Sequence, residues 1–591
     1  MPEPTVPIDQ AARDRIVGDL ETTLFVEAGA GTGKTSALVD RIVSLVVSGV
    51  SVEHIAAITF TDRAATELRD RVRRRLEAMA TGKGTEAEAA GRALVELDGA
   101  ALCTLHAFAQ RILVEHPIEA GLPPAVEVMD EVSSLVDFDE RWAGVVDTLL
   151  GDPQHAFTVL VAFELGISLR LLRDMAHRLD DNWDLVDDRL VSTPDPRPID
   201  IGPLLADLRE VVDLREHCTA QADTMLDRLD RVEAFADQLQ EADGNPLSVV
   251  RVLGDRKDVT SRKKVGNKKN WAGSIPIDQV RDQLWSADDR IEAEVQRLND
   301  EVIDRLVEVV GRGAVEAAEK RRRQGQLGFH DLLVLARRVL TESNHGLAVR
   351  SALADHYRCL LLDEFQDTDP LQIELAALIA DPDTVTDDWR RLRPRPGSLF
   401  FVGDPKQSIY GFRRADMAVY LDAREAFGDD AVHLEQNFRT TGPILGWVNA
   451  VFERLIDHRH RKQPEYTPLV PARVDGSTGP PVVLLGTDDS EKLGADDLRA
   501  KSSADVAAAV STALAERWTI FDEHLPAPDG GPRGGDWRPC EPGDIAILVR
   551  SRTPVDALAA ALTDAGIPYR IEAGFNPLAT DEVRDLLTTL R

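Results

Sequence analysis

Eight consecutive residues carry the first clear chemistry: Ala28-Gly29-Ala30-Gly31-Thr32-Gly33-Lys34-Thr35. Glycines at this density let successive backbone N–H groups converge on one point, where a phosphate oxygen can sit. A helix starting directly afterwards adds the partial positive charge of its N-terminus. Lys34 then reaches the β- and γ-phosphates and Thr35 offers a hydroxyl to Mg²⁺, as in a P-loop with Ala28 at the first glycine position. The run Thr23–Ala28 before it has the character of a buried strand. The residues after Gly33 form an amphipathic helix with Leu38, Ile42, Leu45 and Val46 on one face. Strand, turn and helix in that order distinguish a nucleotide site from a glycine-rich turn that binds nothing.

A hydrolytic phosphate site also needs acids at the end of a neighbouring strand. Leu360-Leu361-Leu362 followed by Asp363-Glu364 supplies them. Asp363 is placed to hold the Mg²⁺ shell, and Glu364 to orient and deprotonate an attacking water. A small-molecule kinase shares the P-loop but has no use for a base in that position. The residues by themselves therefore point to an ATP or GTP hydrolase.

The elements that must position these groups follow an α/β pattern with a parallel sheet. Residues 1–115 alternate short apolar runs with helices: strand Ile55–Phe60 and helix Arg63–Leu76 follow the P-loop unit. Residues 116–325 change to long amphipathic helices such as Ile291–Val309, which marks a helical insertion. The alternation resumes over 326–430, with strands Arg358–Asp363 and Ser398–Gly403. A further αβ block covers 431–591, with strands expected at Val482–Gly486 and Asp544–Arg550. Its Pro/Gly-rich stretch Ala527–Gly535 is expected to be a disordered loop.

Composition excludes several classes. The chain is 43% hydrophobic and 29% charged, enough for several cores. No stretch approaches a membrane span of ~18–20 apolar residues. Met1-Pro2-Glu3-Pro4 has neither the basic nor the apolar region of a secretory signal. Cys103, Cys218, Cys359 and Cys540 never fall in Cys-x-x-Cys spacing, which argues against a disulfide scaffold or a local zinc knuckle. A cytoplasmic location and no membrane partner are expected. The net charge of −33 disfavours non-specific duplex binding at long range. It leaves room for a single-strand groove, because charges are screened over ~8 Å at physiological salt. Arg256–Asn270, with Lys263, Lys264, Lys268 and Lys269, is either a solvated basic loop or a DNA contact.

With their flanks, these residues resemble UvrD/Rep-type superfamily 1 helicases, in a series of segments in family order. Gln10 resembles the family's adenine-reading glutamine. Ala57–Thr61 with Ala64-Ala65 and Glu67-Leu68 is similar to motif Ia, and Thr104–Phe108 to motif Ib. Asp363-Glu364-Phe365-Gln366-Asp367-Thr368 is similar to motif II, Gly403–Arg413 to motif III and Gln436-Asn437-Phe438-Arg439 to motif IV. The resemblance implies a RecA-like P-loop NTPase core, a large helical insertion and the first part of a second RecA-like domain. Asp367–Pro370 with Gln372, Gly403–Gln407 and Gly328–Leu333 look more like the RecB/AddA subgroup than UvrD itself.

What the resemblance implies is specific. ATP and Mg²⁺ are the cofactors, with Thr35 and Asp363 at the metal. Lys34, Glu364, Gln407 and Arg439 form the catalytic set, Gln407 sensing the γ-phosphate and Arg439 acting as an arginine finger in cis. Phe438 stacks on adenine beside Gln10 and the P-loop residues 28–35. Phe60, Thr61, His106, Tyr410 and Phe412 face single-stranded DNA. The implied activity is 3′–5′ translocation on single strands and single-/double-strand junctions in repair or recombination. Two other readings stay open: a non-hydrolysing regulatory or scaffold protein, and the motor of a helicase–nuclease complex with a nuclease or RecB/AddB-type partner.

Two departures qualify this. Ser36 stands where UvrD-like members carry an arginine that grips the nucleotide. Gly543–Arg550 and Gly566–Arg570 resemble the segment before the family's second insertion, and motifs V and VI have no counterpart before Arg591. The expectation is a fragment of a longer protein that binds ATP with little turnover.

Overall fold

Apolar runs long enough to bury both faces become the strands of a parallel sheet. The computed structural model describes residues 6–591 apart from 195–196, 257–258, 260–261, 272–274, 387, 412–413, 429–430, 460–461, 474–475, 487–492, 526–534, 573–585, 587–588, 590–591 and the Gln154 side chain. The chain divides into two units. One comprises Met1–Leu102, Tyr357–Pro370 and Arg393–Arg591, and the other Cys103–His356 and Leu371–Leu392.

In chain order the strands are β1 (Leu24–Ala28), β2 (Ile55–Thr59), β3 (Ala101–Thr104), β4 (Glu127–Val128), β5 (Gln326–Leu327), β6 (Cys359–Leu362), β7 (Leu399–Gly403), β8 (Val432–Leu434), β9 (Gln436–Thr441), β10 (Val470–Arg473), β11 (Thr519–Asp522) and β12 (Asp536–Pro539). Six of them form one sheet in the order β3-β2-β6-β7-β1-β8. Its ladders are parallel, with Ile55 opposite Cys359, Leu360 opposite Leu399, Leu24 opposite Phe400 and Val26 opposite Val432. Because the strands run in one direction, Ala28, Leu362 and Gly403 all end on the same edge. That edge is where ligands bind in such sheets.

Alternation along β1 sends its side chains to two cores. Leu24 and Val26 join Leu38, Ile42, Leu68 and Val72, which come from helices α2 (Lys34–Val47) and α3 (Asp62–Ala80). Phe25 faces the other way, edge-on to Phe365 and Tyr420 and stacked on Phe401 at 5.1 Å. The four strands expected around the P-loop and the acid pair are thus present, each within one or two residues of its sequence bounds.

The block after 431 departs from expectation. β8 extends the six-stranded sheet through β1, while β9 pairs with β10 and β11 with β12. The helices Ala495–Ala515 and Val555–Asp564 pack through Ala507, Val510 and Leu562. Val482–Gly486 and Asp544–Arg550 join no ladder among the described residues, and Leu484 and Leu548 are each 94% exposed. Their composition suits a strand, but ladder partners decide strand formation and none is paired with them. The expected loop Ala527–Gly535 lies almost wholly outside the described residues.

The other unit is helical around one 48-residue helix, Ile277–Gln324, whose buried stripe runs from Ile277 to Arg321. Asp331, 2% exposed, accepts hydrogen bonds from Trp183 Nε1 at 2.8 Å, Arg321 Nε at 2.7 Å and the Gly328 amide at 2.9 Å. A buried carboxylate is tolerated when it is paired and saturated in this way. The Gly328–Leu333 segment therefore has a structural task. The basic loop is sewn to the long helix by its own charges: Arg256 pairs with Glu292, Arg262 with Asp289 and Lys268 with Asp278. A cavity of about 710 Å³ lies along the same helix, lined by Arg141, Arg305 and Arg312. Those guanidiniums already serve Asp180, the Pro194 carbonyl and Glu308. No single helix among the described residues is long and apolar enough to cross a membrane.

Candidate nucleotide and nucleic-acid site

The P-loop turn is shaped by two glycines in the left-handed region, Gly31 (φ 72°) and Gly33 (φ 90°). A Cβ on Gly31 would come within 2.7 Å of both Asn437 Nδ2 and Arg439 Cβ, so only glycine fits. Thr32 is fully buried and ties the turn by donating from Oγ1 to the Gly29 carbonyl at 2.8 Å. Helix α2 starts at Lys34, and Thr35 follows at its first turn.

Lys34 Nζ reaches Glu364 Oε2 at 2.7 Å. Glu364 sits at φ 50°, a conformation that costs a non-glycine residue energy and persists where the surroundings enforce it. Asp363 is 8% exposed and accepts from the Glu364 amide at 3.0 Å. Burial, helped by the adjacent Glu364 charge, pushes its carboxyl up to about 6 against the pull of Lys34. Two carboxyls this close, one of them destabilised as an anion, suit a divalent cation with oxygen ligands. Among the described residues no cluster of three or more His, Cys, Asp or Glu side chains could form an all-protein cage.

Gln366, 2% exposed, links the acid pair to the end of β7. Its Nε2 donates to Glu364 Oε2 at 2.7 Å, and its Oε1 accepts from the Asp404 amide at 2.9 Å. Asp404 in turn accepts from Gln407 Nε2 at 2.7 Å. Gln407 therefore connects to Glu364 through Asp404, by its carboxylate and its backbone amide, and the Gln366 side chain. The sequence places Gln366 within its motif but assigns it no role.

β9 docks on the P-loop. The Phe438 amide donates to the Gly31 carbonyl at 2.8 Å and Asn437 Nδ2 to the Ala30 carbonyl at 2.5 Å. Asn437 Oδ1 accepts from the Arg439 and Thr440 amides, fixing the backbone from which Arg439 projects. Gln10 lies on α1 (Gln10–Gly18), and its Nε2 donates to Asp14 at 2.7 Å. On the same helix Arg13 lies over the Phe438 ring, 5.1 Å from its centroid.

Of the expected DNA-facing residues, Phe60 and Tyr410 are neighbours, with ring centroids 4.7 Å apart. Thr61 caps α3 by accepting from the Ala64 amide, a structural task for its hydroxyl. His106 belongs to the helical unit, where its ring meets Phe329 edge-on at 5.4 Å. Phe329 is 51% exposed, and the sequence places it in the Gly328–Leu333 segment without assigning it a role. Phe412 lies outside the described residues.

Comparison with known proteins follows the same elements. The UvrD/REP helicase N-terminal domain model matches residues 9–428. The chain is similar to an ATP-dependent helicase/nuclease subunit of Ligilactobacillus salivarius (strain UCC118), at 25% identity over 98% of this chain and 50% of the relative. It is 24% identical to the protein of the same name from Levilactobacillus brevis, over 98% and 50% of the two chains, and to that of Staphylococcus aureus (strain JH9), over 96% and 49%. The chain thus spans about half the length of the curated relatives it matches. With the P-loop and the acid pair gathered at one sheet edge and the match running through both, this chain belongs to the UvrD/REP helicase family.

Proposed function

We propose that the chain is the ATP-driven motor portion of a DNA helicase of the helicase/nuclease (AddA-like) kind, moving 3′ to 5′ on single-stranded DNA in repair or recombination. One observation carries the reading: Lys34 at the P-loop helix meets Glu364 at the end of β6, and Gln366 joins Glu364 to the β7 end. ATP is the nucleotide and Mg²⁺ its cation, and the partner is a second polypeptide of the complex, in line with the names of the relatives.

In this reading the P-loop amides of residues 29–33 and Lys34 hold the β- and γ-phosphates. Thr35 and Asp363 hold Mg²⁺, which neutralises phosphate charge when bound. Glu364 takes the proton of the attacking water, Gln407 senses the γ-phosphate and Arg439 stabilises the charge that develops there. Phe438 and Gln10 serve the base. Phe60 and Tyr410 form a stacking platform for single-stranded DNA, and such platforms accept any sequence.

The test is ATP hydrolysis by the purified chain with and without an oligothymidylate. Stimulation by the oligonucleotide, however slow the turnover, with loss in Glu364→Gln, supports the reading. ATP binding with no hydrolysis under either condition would favour a regulatory role instead.

A further inference from the structure

Arg13 stands out because three independent partners fix it beside the P-loop. Its Nε and Nη2 donate to the two Asp9 carboxylate oxygens at 2.8 and 3.0 Å, and Nη2 also donates to the Thr32 carbonyl at 2.9 Å. Asp9 is itself immobilised, since its Oδ2 accepts from the Glu435 and Gln436 amides at 3.0 and 3.1 Å. The guanidinium lies 5.1 Å from the centroid of Phe438, a ring that is 38% exposed. A Cβ on Gly33 would be 3.5 Å from Arg13 Nη1, so the guanidinium lies against the P-loop turn itself.

A planar cation fixed by a two-pronged carboxylate on one side and resting on an aromatic ring on the other is already ordered before any ligand arrives. Stacking a further planar heterocycle on the pair then costs little side-chain entropy. Lysine in this place would keep the charge and lose both the fork and the flat surface.

We infer that Arg13 is a base-recognition residue of the nucleotide site: with Phe438 it forms a cation–aromatic platform that holds the purine of the nucleoside triphosphate whose phosphates occupy the P-loop. This rests on the proposed ATP site and adds to it a residue to which the sequence motifs give no role. The platform acts on the base, whereas Lys34 acts on the phosphates.

The test separates the two halves of the ligand by comparing ATP with inorganic tripolyphosphate, both with Mg²⁺, by titration calorimetry on the full chain. Arg13→Ala should weaken ATP by about tenfold, the scale of one desolvated cation–π contact. Tripolyphosphate affinity should stay within about twofold. Arg13→Lys, which keeps a cation near the Thr32 carbonyl and so guards against a misfolded P-loop, should show most of the same selective loss, as should Phe438→Ala. Equal weakening of both ligands in Arg13→Lys, or no change in either, overturns the inference and makes Arg13 a strut for the P-loop. If the unaltered chain bound neither ligand, the ATP site itself would fail, and the inference with it.

Discussion

Lys34 and Glu364, 330 residues apart in sequence, meet at 2.7 Å between Nζ and Oε2. The ammonium that is to hold phosphate and the carboxylate that is to activate water are partners of each other. Phosphate binding must therefore compete with an ion pair, and its outcome sets which group is available for chemistry.

The first prediction follows. Glu364→Gln removes the competing charge, so ATP affinity should hold or rise by up to about tenfold while hydrolysis is lost; charge-assisted hydrogen bonds are worth ~1.5–3 kcal/mol. Lys34→Ala should lower affinity by about tenfold or more. Nucleotide titrations on both variants check this, and equal weakening in the two would refute the separate roles.

Gln366 gives the second. Its amide bridges Glu364 and the Asp404 backbone, so Gln366→Ala should lower kcat of DNA-stimulated hydrolysis by about 10- to 100-fold with little change in KM. The Asp404 amide, left without its acceptor, should cost ~1–3 kcal/mol in urea unfolding. A rise in KM at unchanged kcat would mean that Gln366 does not position the base.

Much of this arrangement is legible in the sequence alone. Leu360–Leu362, Leu399–Gly403 and Leu24–Ala28 are apolar runs too short for helices and flanked by turn residues, so their strands can be placed to within two residues. The P-loop is legible because its function lies in local backbone geometry. The roles of Gln366, Asn437 and Arg13 are not, since the Asp404 amide, the Ala30 carbonyl and the Phe438 ring that they meet come from distant segments. Val482–Gly486 and Asp544–Arg550 show the converse: local composition favours strands, but a ladder needs a partner.

The third prediction concerns DNA. Phe60 and Tyr410 pack at 4.7 Å, and stacking on such a platform is worth ~1–3 kcal/mol per base. Tyr410→Ala should weaken single-strand affinity by that amount while the salt slope stays nearly constant. In the basic loop Arg256, Arg262 and Lys268 are already paired with acids of the long helix, so Lys268→Glu should leave the slope unchanged. A steep slope insensitive to Tyr410 would contradict the first statement, and a slope altered by Lys268→Glu the second.

A fourth prediction is a pH dependence of stability. Asp288 is 5% exposed, and neither carboxylate oxygen accepts a hydrogen bond. Burial raises its carboxyl from 3.8 to about 6, assisted by Asp289 and opposed by Arg228 and Arg262. A carboxyl with a raised folded-state pKa favours the fold when protonated. Its stabilising contribution is full below pH 4 and is lost as pH rises through 6. At ~1.4 kcal/mol per unit the loss is at most about 3 kcal/mol. Asp288→Asn should flatten this decline in urea unfolding between pH 4 and 7, and an unchanged profile would remove Asp288 as its source.

If nucleotide and DNA are coupled in this chain, the connection runs from Lys34 and Glu364 through Gln366 to the β7 end. The most direct measurement is the affinity for a fluorescent oligothymidylate with and without a non-hydrolysable ATP analogue and Mg²⁺. Coupling of this kind amounts to ~1–3 kcal/mol. A shift of about fivefold or more is expected in the unaltered chain, abolished in Lys34→Ala and reduced in Gln366→Ala. An unaltered chain that bound both ligands, with the same oligonucleotide affinity in each condition, would contradict it.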